Sequence, residues 1–172
     1  MKPFVPEKVK IKPRTVLTVV SLGDPNKVME SYMKALYGTA YSTKMKVYKP
    51  LGKIMSIGTL SAFWPDAHLK PKNEWTGIWN IEVPDWVKHK DLLQKDPKIE
   101  IKVEKLIGGD GAQILHLGAY SEEGPTIKTL HDFIEKEFSM NMSDIIGNHE
   151  EVYLTTPKAK VQKTLIRYLV KK

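Results

Sequence analysis

The hydrophobic and polar positions of the chain follow two different periods. A period of two, typical of a half-buried β-strand, runs through residues 99–104. A period near 3.6, typical of amphipathic helices, runs through residues 25–37 and 125–138, and both segments begin with a proline. Gly38 predicts the end of the first helix, because glycine commonly follows the last helical turn. The chain is therefore predicted to contain both helices and strands.

The other strands are predicted from apolar and β-branched runs bounded by proline and glycine. They lie at residues 15–22, 44–48, 53–60, 75–83, 112–118 and 164–170, with one more within 149–157. The sequence Gly-Gly-Asp-Gly at 108–111 predicts the tight turn of a hairpin. A phosphate-binding loop is not indicated there, because no Gly-Lys-Ser/Thr follows.

The two halves of the chain repeat one order of elements. Val-Val-Ser-Leu-Gly at 19–23 is similar to Ile-Leu-His-Leu-Gly at 114–118, and each precedes a helix that starts with proline. This predicts an α+β fold of duplicated βαββ units forming antiparallel sheets, with both helices on one side and a central ligand groove. The predicted organisation is an N-terminal extension at 1–13 and one domain at 14–172, with repeat one at about 14–90 and repeat two at about 98–172.

The segment His-Glu-Glu-Val-Tyr-Leu-Thr-Thr-Pro at 149–157 places a carboxylate inside a predicted strand. Because successive strand side chains point to opposite faces, Val152 and Leu154 share one face, and Glu151 and Tyr153 share the other. We expect the two apolar residues to face the helices and the acid and phenol to face the groove. The alternative is a half-exposed strand whose polar residues face water.

Aromatic residues supply candidate walls for such a groove. The four tryptophans of the chain are Trp64, Trp75, Trp79 and Trp86, which all lie within 23 positions. Trp75 and Trp79 have the same strand parity, so both are predicted to line one surface, with ordinary core packing as the alternative.

Charge and composition narrow the classes of function. The net charge of +7 is concentrated at the two ends, because residues 1–14 carry +4 and residues 158–172 carry +6, which leaves −3 for the rest. This distribution argues against direct nucleic-acid binding. The chain has no cysteine, no signal-peptide pattern and no apolar run long enough for a membrane helix, so we expect a cytoplasmic protein without disulfides.

Motifs for several kinds of chemistry are missing from the sequence. The five histidines show no metal-ligand spacing, and there is no Gly-x-Ser-x-Gly elbow. His116 and His131 are therefore expected to be ordinary hydrogen-bonded residues. We predict no metal site and no cofactor.

Several motifs together resemble a known family. The residues that carry the resemblance are Gln-Ile-Leu-His-Leu-Gly-Ala-Tyr at 113–120, the segment 149–157 followed by Lys-Thr-Leu-Ile-Arg at 163–167, and the weaker Leu-Ser-Ala-Phe-Trp at 60–64 and Pro-Asp-Trp-Val at 84–87. From about Leu60 onward the chain resembles GyrI-like small-molecule-binding proteins, which include the gyrase inhibitory protein and the effector-binding domains of multidrug-responsive transcription activators. Residues 1–13 carry no resemblance.

The resemblance implies a set of site residues. Glu151 matches the family's pocket acid and Tyr153 the aromatic residue two positions later, while Tyr120, Trp64, Trp75 and Trp79 match positions of the pocket walls. Two positions depart from the family pattern: Glu150 stands where many relatives have a second histidine, and Ser61 stands where an acid is common. The first departure suggests altered polarity at the pocket rim, and the second removes a candidate second carboxylate.

Three classes of function remain open at this stage. The favoured one is the binding of lipophilic, planar and often cationic small molecules, as in drug or toxin sequestration or sensing. The alternative implied by the family is a hydrolase that opens the cyclopropane rings of DNA-alkylating natural products, with Glu151 and Tyr153 as catalytic residues. A module that binds a protein partner is the third class.

Overall fold

The computed structural model describes residues 1–171 as one curled antiparallel sheet with two helices on it. The strands are β1 (Glu7–Ile11), β2 (Arg14–Leu22), β3 (Leu60–Phe63), β4 (Thr76–Val83), β5 (Lys102–Leu106), β6 (Gly109–Leu117), β7 (Glu150–Tyr153) and β8 (Lys163–Lys171). The helices are α1 (Pro25–Thr43) and α2 (Gly124–Phe138). Lys172, the last residue of the predicted domain, lies outside the described residues.

The order of strands in the sheet confirms the predicted duplication. The order is β1-β6-β8-β7-β3-β4-β2-β5, with antiparallel pairing throughout. The unit β2-α1-β3-β4 and the unit β6-α2-β7-β8 are therefore related by a pseudo-twofold axis between β3 and β7. The two units join into one sheet.

Two short connections make the sheet curl. β1 and β5 form opposite edges of the sheet, yet only residues 12–13 separate β1 from β2 and only residues 107–108 separate β5 from β6. The predicted hairpin at 108–111 is wrong, because β5 pairs with β2 instead of β6. Gly108 lies where the connection between β5 and β6 passes the connection between β1 and β2. A Cβ at this position would come within 2.4 Å of the carbonyl oxygen of Ile11. The predicted N-terminal extension contributes β1 to the sheet.

Both helices pack on the same face of the sheet, as predicted. Leu36 of α1 packs with Leu17 of β2, and Leu130 of α2 packs with Ile114 of β6. The strand registers place those two sheet residues on the face that carries Glu151. The cross-strand row of Glu151 runs through Ile114 and through Val19, which lies two residues from Leu17 on β2. These contacts form two cores, one under each helix.

The first helix is longer than the sequence predicted. It begins where Asp24 accepts a hydrogen bond from the backbone N–H of Asn26, but it continues through Gly38 to Thr43. A Cβ at Gly38 would lie 2.8 Å from the side chain of Lys95, so the glycine allows a neighbouring segment to pack closely on the helix. Apolar burial on the helix outweighs the roughly 1 kcal/mol cost of a helical glycine.

Two predicted strands after this helix are wrong. Lys44–Tyr48 forms a π-helical continuation of α1, followed by a 3₁₀ turn at Lys49–Leu51, and no strand forms before β3. The lysines and methionine at 44–46 favour helical conformations, and the extended pattern at 53–60 comes from an irregular segment that buries only Met55.

Candidate functional site

A cleft of about 1040 Å³ lies between the two helices, above the central strands β3 and β7. It is therefore located at the pseudo-twofold axis, where the predicted central groove was expected. Its lining combines aromatic, apolar and titratable residues from the helices, the sheet and the loops between them, among them Met29, Met33, Tyr37, Trp64, Trp75, Trp79, Tyr120, Glu123, Ile127, His131, His149, Glu151, Tyr153 and Tyr168.

The predicted site residues meet in this cleft. They are Glu151, Tyr153, Tyr120, Trp64, Trp75 and Trp79. Trp64 and Trp79 are only 6% and 3% exposed and form the floor, whereas Tyr120 is 40% exposed and lies at the rim. Their contact with a ligand stays a prediction.

The face of the sheet that carries Glu151 differs from the expectation. Glu151 pairs with Ala62 on β3 and with Ile166 on β8, and both neighbours are fully buried on the helix-bearing face. Glu151 and Tyr153 therefore lie on the same face as the helices, and Val152 faces away from them. Leu154 is 48% exposed at the cleft and is not a core residue. The groove forms between the helices, not on the free face of the sheet.

The aromatic side chains form one continuous wall. Trp64 contacts Trp75 and Trp79 with ring centroids 5.8 and 5.2 Å apart. The ring of Trp79 stacks on that of Tyr153 at 6.0 Å, and Tyr120 meets Tyr153 edge to face at 5.8 Å. Such a wall offers both ring faces and ring edges to a flat molecule.

Local packing holds the tryptophans of the floor in place. The indole N–H of Trp79 donates to Ser21 Oγ at 2.8 Å, which ties β4 to β2. Gly77 makes room for both indoles, because a Cβ there would lie within 2.8 Å of Trp79 Nε1 and 3.0 Å of the Trp64 ring. The wall is thus built into the sheet.

The carboxylate of Glu151 accepts two hydrogen bonds at the base of the cleft. His149 Nε2 donates to Oε1 at 3.0 Å, and the Tyr153 hydroxyl donates to Oε2 at 2.8 Å. The indole N–H of Trp64 donates in turn to the Tyr153 oxygen at 3.3 Å. Burial by itself raises the pKa of Glu151, but the hydrogen bond and charge of His149 and the hydrogen bond of Tyr153 lower it below its ordinary value. Glu151 is therefore ionised at neutral pH.

A second chain of hydrogen bonds fixes His149. The hydroxyl of Tyr168 lies 2.7 Å from His149 Nδ1 and 2.8 Å from His131 Nε2. Burial and the nearby charge of Glu151 raise the pKa of Tyr168, and burial lowers the pKa of His131. His131 and His116 are hydrogen-bonded, as the sequence led us to expect; His116 lies 2.8 Å from Thr126 Oγ1.

Glu123 is a cleft residue that the sequence analysis missed. It directly precedes α2, is 4% exposed and lies beside Glu151. Its Oε1 atom has no hydrogen-bond partner among residues 1–171. The polar segment Tyr-Ser-Glu-Glu-Gly-Pro at 120–125 gave no sign of burial, because only the approach of α2 to β7 and β8 covers this one glutamate.

The two carboxyl groups differ in protonation. Burial, together with the negative charge of Glu151, raises the pKa of Glu123 to about 8. Glu123 thus holds a proton near neutral pH while Glu151 is ionised. Opposite pKa displacements of neighbouring carboxyl groups are characteristic of acid–base pairs and of sites that bind cations.

The two departures from the family pattern both lie away from the cleft. Ser61 pairs with Asn80 and Val152, on the face of the sheet opposite the helices. Glu150 is buried on that opposite face, where it binds Arg14 and accepts a hydrogen bond from Arg167 Nε at 2.6 Å. The expected change of polarity at the pocket rim is therefore wrong, and an acid at position 61 would not have faced the cleft. The second carboxylate comes from Glu123 instead.

The structure has neither a metal cluster nor a membrane-spanning helix within its described residues. Within residues 1–171, no group of three histidine or acidic side chains is arranged to hold a metal ion. Over the same residues, neither helix combines the length and apolarity needed to cross a membrane.

Comparison with known proteins identifies structural relatives. No family model matches the chain, and no curated protein matches it. A hydrolase from Listeria innocua is similar in structure with a TM-score of 0.81 and 26% identity, covering 98% of this chain and 93% of the other. A further structure of a hydrolase from the same organism has a TM-score of 0.78 and 24% identity, with 99% and 94% covered.

The C-terminal domain of EcmrR has the same fold. Its TM-score is 0.62 at 10% identity, with 98% of each chain covered. These similarities extend over nearly the whole chain, so the single-sheet architecture is shared from end to end. The fold is consistent with a GyrI-like domain.

The pKa of Glu123 predicts how stability depends on pH. An unfolded glutamate loses its proton near pH ~4.3, whereas folded Glu123 keeps it to about pH 8. Between these values the unfolded state binds fewer protons, so the free energy of unfolding falls as pH rises, by up to about 1.4 kcal/mol per pH unit. Urea unfolding at a series of pH values should show this loss in the unaltered chain but not in Glu123→Gln. Parallel curves for the two proteins would show that Glu123 has an ordinary pKa.

Proposed function

We propose that this protein binds planar, lipophilic small molecules, preferentially cations, in the cleft between its two helices. The observation that carries the proposal is an ionised carboxylate, Glu151, among aromatic rings at the base of a large apolar cleft. A cation placed there offsets a charge that water solvates poorly. The aromatic faces attract the same ligand through their quadrupoles.

The cleft favours broad rather than narrow specificity. Its volume of about 1040 Å³ is at the upper end of ordinary ligand pockets, which hold ~300–1,000 Å³. Met29 and Met33 of α1 line one side, and methionine side chains adapt to ligands of different shape. We infer a role in sequestering or sensing lipophilic compounds.

The comparisons support this proposal at the level of the fold. The EcmrR C-terminal domain shares the architecture, and the GyrI-like resemblance of residues 113–120 and 149–157 assigns Glu151 and Tyr153 to a ligand pocket. Within the proposal the protein is cytoplasmic, binds a small molecule through its own residues without a cofactor, and makes no direct contact with nucleic acid. In a sensing role, a protein partner would distinguish the ligand-bound form of this protein from the ligand-free form.

Removing the charge of Glu151 should weaken cations selectively. N-methylacridinium is a planar cation, and acridine under weakly alkaline conditions is a neutral molecule of nearly the same shape. In Glu151→Gln the dissociation constant of the cation should rise by ~10- to 100-fold, because one charged contact in a partly dry site contributes about 1–3 kcal/mol. Quenching of tryptophan fluorescence measures both ligands, since three tryptophans line the cleft.

Glu122→Gln is the matched control for this experiment. It removes the same charge from an exposed neighbour of Glu123, outside the cleft lining. Both ligands should bind this control as they bind the unaltered protein. Equal weakening of acridine and N-methylacridinium by Glu151→Gln would show that Glu151 does not contact the ligand charge.

A hydrolase is the second candidate function, and the pair of carboxyl groups is the observation that favours it. Opening of a cyclopropane ring conjugated to a carbonyl needs a base for the attacking water and an acid for the carbonyl oxygen. Glu151 would accept a proton from the attacking water. The water oxygen would form the new C–O bond as the ring C–C bond breaks. Protonated Glu123 would supply the proton to the carbonyl oxygen, while Tyr153 would orient Glu151 through the hydrogen bond that its hydroxyl donates. The similar hydrolase from Listeria innocua adds support.

Counting turnovers separates the two candidates. A limiting amount of protein is incubated with an excess of a cyclopropane-bearing alkylator, and the ring-opened product is measured by mass spectrometry. A hydrolase forms many equivalents of product, and Glu151→Gln lowers kcat by ~10²-fold or more while retaining substrate binding. A sequestering protein gives no product beyond one equivalent, which would remove the hydrolase for that substrate.

A further inference from the structure

Glu123 has an unmet hydrogen-bonding capacity inside the cleft. Each oxygen of Glu151 already accepts a hydrogen bond, from His149 and from Tyr153. The carboxyl group of Glu123 contacts Thr164 and Glu151, but its Oε1 atom, which is buried in the same cleft, has no partner among residues 1–171. An unpartnered buried polar atom is unfavourable, so a ligand group that donates a hydrogen bond to it gains binding energy.

We propose that Glu123 is a second ligand-binding residue, which makes the cleft select planar cations that carry N–H donors, such as protonated aryl amines and amidines, over quaternary cations of the same shape. This inference rests on the proposed binding function and names the class of ligand for it. Glu151 attracts positive charge of any kind. Glu123 adds the requirement for a hydrogen-bond donor.

The position of Glu123 favours this division of roles. It lies next to the first turn of α2, which holds its backbone, and Tyr120 from the same segment forms the rim above it. Glu151 lies across from it on β7. A flat ring held against Tyr153 and Trp79 between these elements is bordered by both carboxyl groups, so a ring nitrogen or an exocyclic amine has acceptors on two sides. A quaternary nitrogen satisfies neither acceptor by hydrogen bonding.

The proton of Glu123 must leave when such a cation binds. A protonated carboxyl keeps one acceptor oxygen, but the positive charge of the ligand favours the ionised form of the acid, in which both oxygens accept. The titratable groups that face Glu123 are Glu151, Tyr120 and Tyr153, with His149 behind Glu151. The two tyrosines have raised pKa values and stay neutral, so the proton passes from the Glu123 carboxyl to the buffer.

A pair of acridine cations tests the proposal. Protonated aminoacridine carries N–H donors, and N-methylacridinium has none. Near neutral pH the unaltered protein should bind aminoacridinium about tenfold more tightly or better, in keeping with one satisfied buried acceptor. Glu123→Met, which keeps the length of the side chain but removes both acceptor oxygens, should abolish the preference while still binding both cations, because Glu151 is retained. Glu122→Gln, the exposed control, should keep the preference.

Proton release provides a second measurement that needs no variant. Titration calorimetry in buffers of different ionisation enthalpy should show release of up to about one proton when aminoacridinium binds at weakly acidic pH. Glu123→Gln should lose this release. A residue with a merely structural role would change affinity for both cations alike and would not alter the proton count.

The outcomes distinguish this inference from the binding function on which it rests. If both cations bind and Glu123→Met leaves their ratio of dissociation constants unchanged, the donor selectivity is wrong while the cleft remains a cation site. Binding of aminoacridinium without proton release would also overturn the inference. If neither cation binds the unaltered protein, the proposed function itself fails, and the inference fails with it.

Discussion

The hydrogen bonds from His149 and Tyr153 to Glu151 are the interaction on which the candidate site depends. They keep a carboxylate ionised where burial would otherwise protonate it. The charge of Glu151 then raises the pKa of Glu123. The bond from Tyr153 also holds its ring against Trp79, and separate hydrogen bonds connect His149 through Tyr168 to His131 of α2. The acid pair and the aromatic wall are consequently one structural unit at the pseudo-twofold axis.

The duplicated fold creates this unit through its symmetry. Each βαββ repeat packs its own helix on its own half of the sheet, which produces two separate cores. Where β3 meets β7 neither helix covers the sheet fully, and the cleft forms in the gap. Glu151 lies on β7 in this gap between the helices, and Glu123 extends into the gap from the start of α2.

Much of this arrangement could be predicted from sequence, and the failures have physical reasons. The repeated strand-proline-helix order led to the duplicated fold, and strand parity correctly grouped Glu151 with Tyr153. Strand parity does not determine which face of a sheet the helices cover. Because both faces of this sheet are largely buried, Leu154 was wrongly predicted to pack under the helices. Gly38 resembled a helix end because its packing against Lys95 is a tertiary contact. Glu123 was missed because its burial depends on elements distant in sequence.

A crystal structure of the protein with bound aminoacridinium tests the central claim most directly. We expect the ring to lie between α1 and α2 against Tyr153 and Trp79, with a ligand nitrogen about 3 Å from a carboxylate oxygen of Glu151 or Glu123. A ring bound on the opposite face of the sheet, near Arg14 and Glu150, or on any surface outside the cleft, would contradict it.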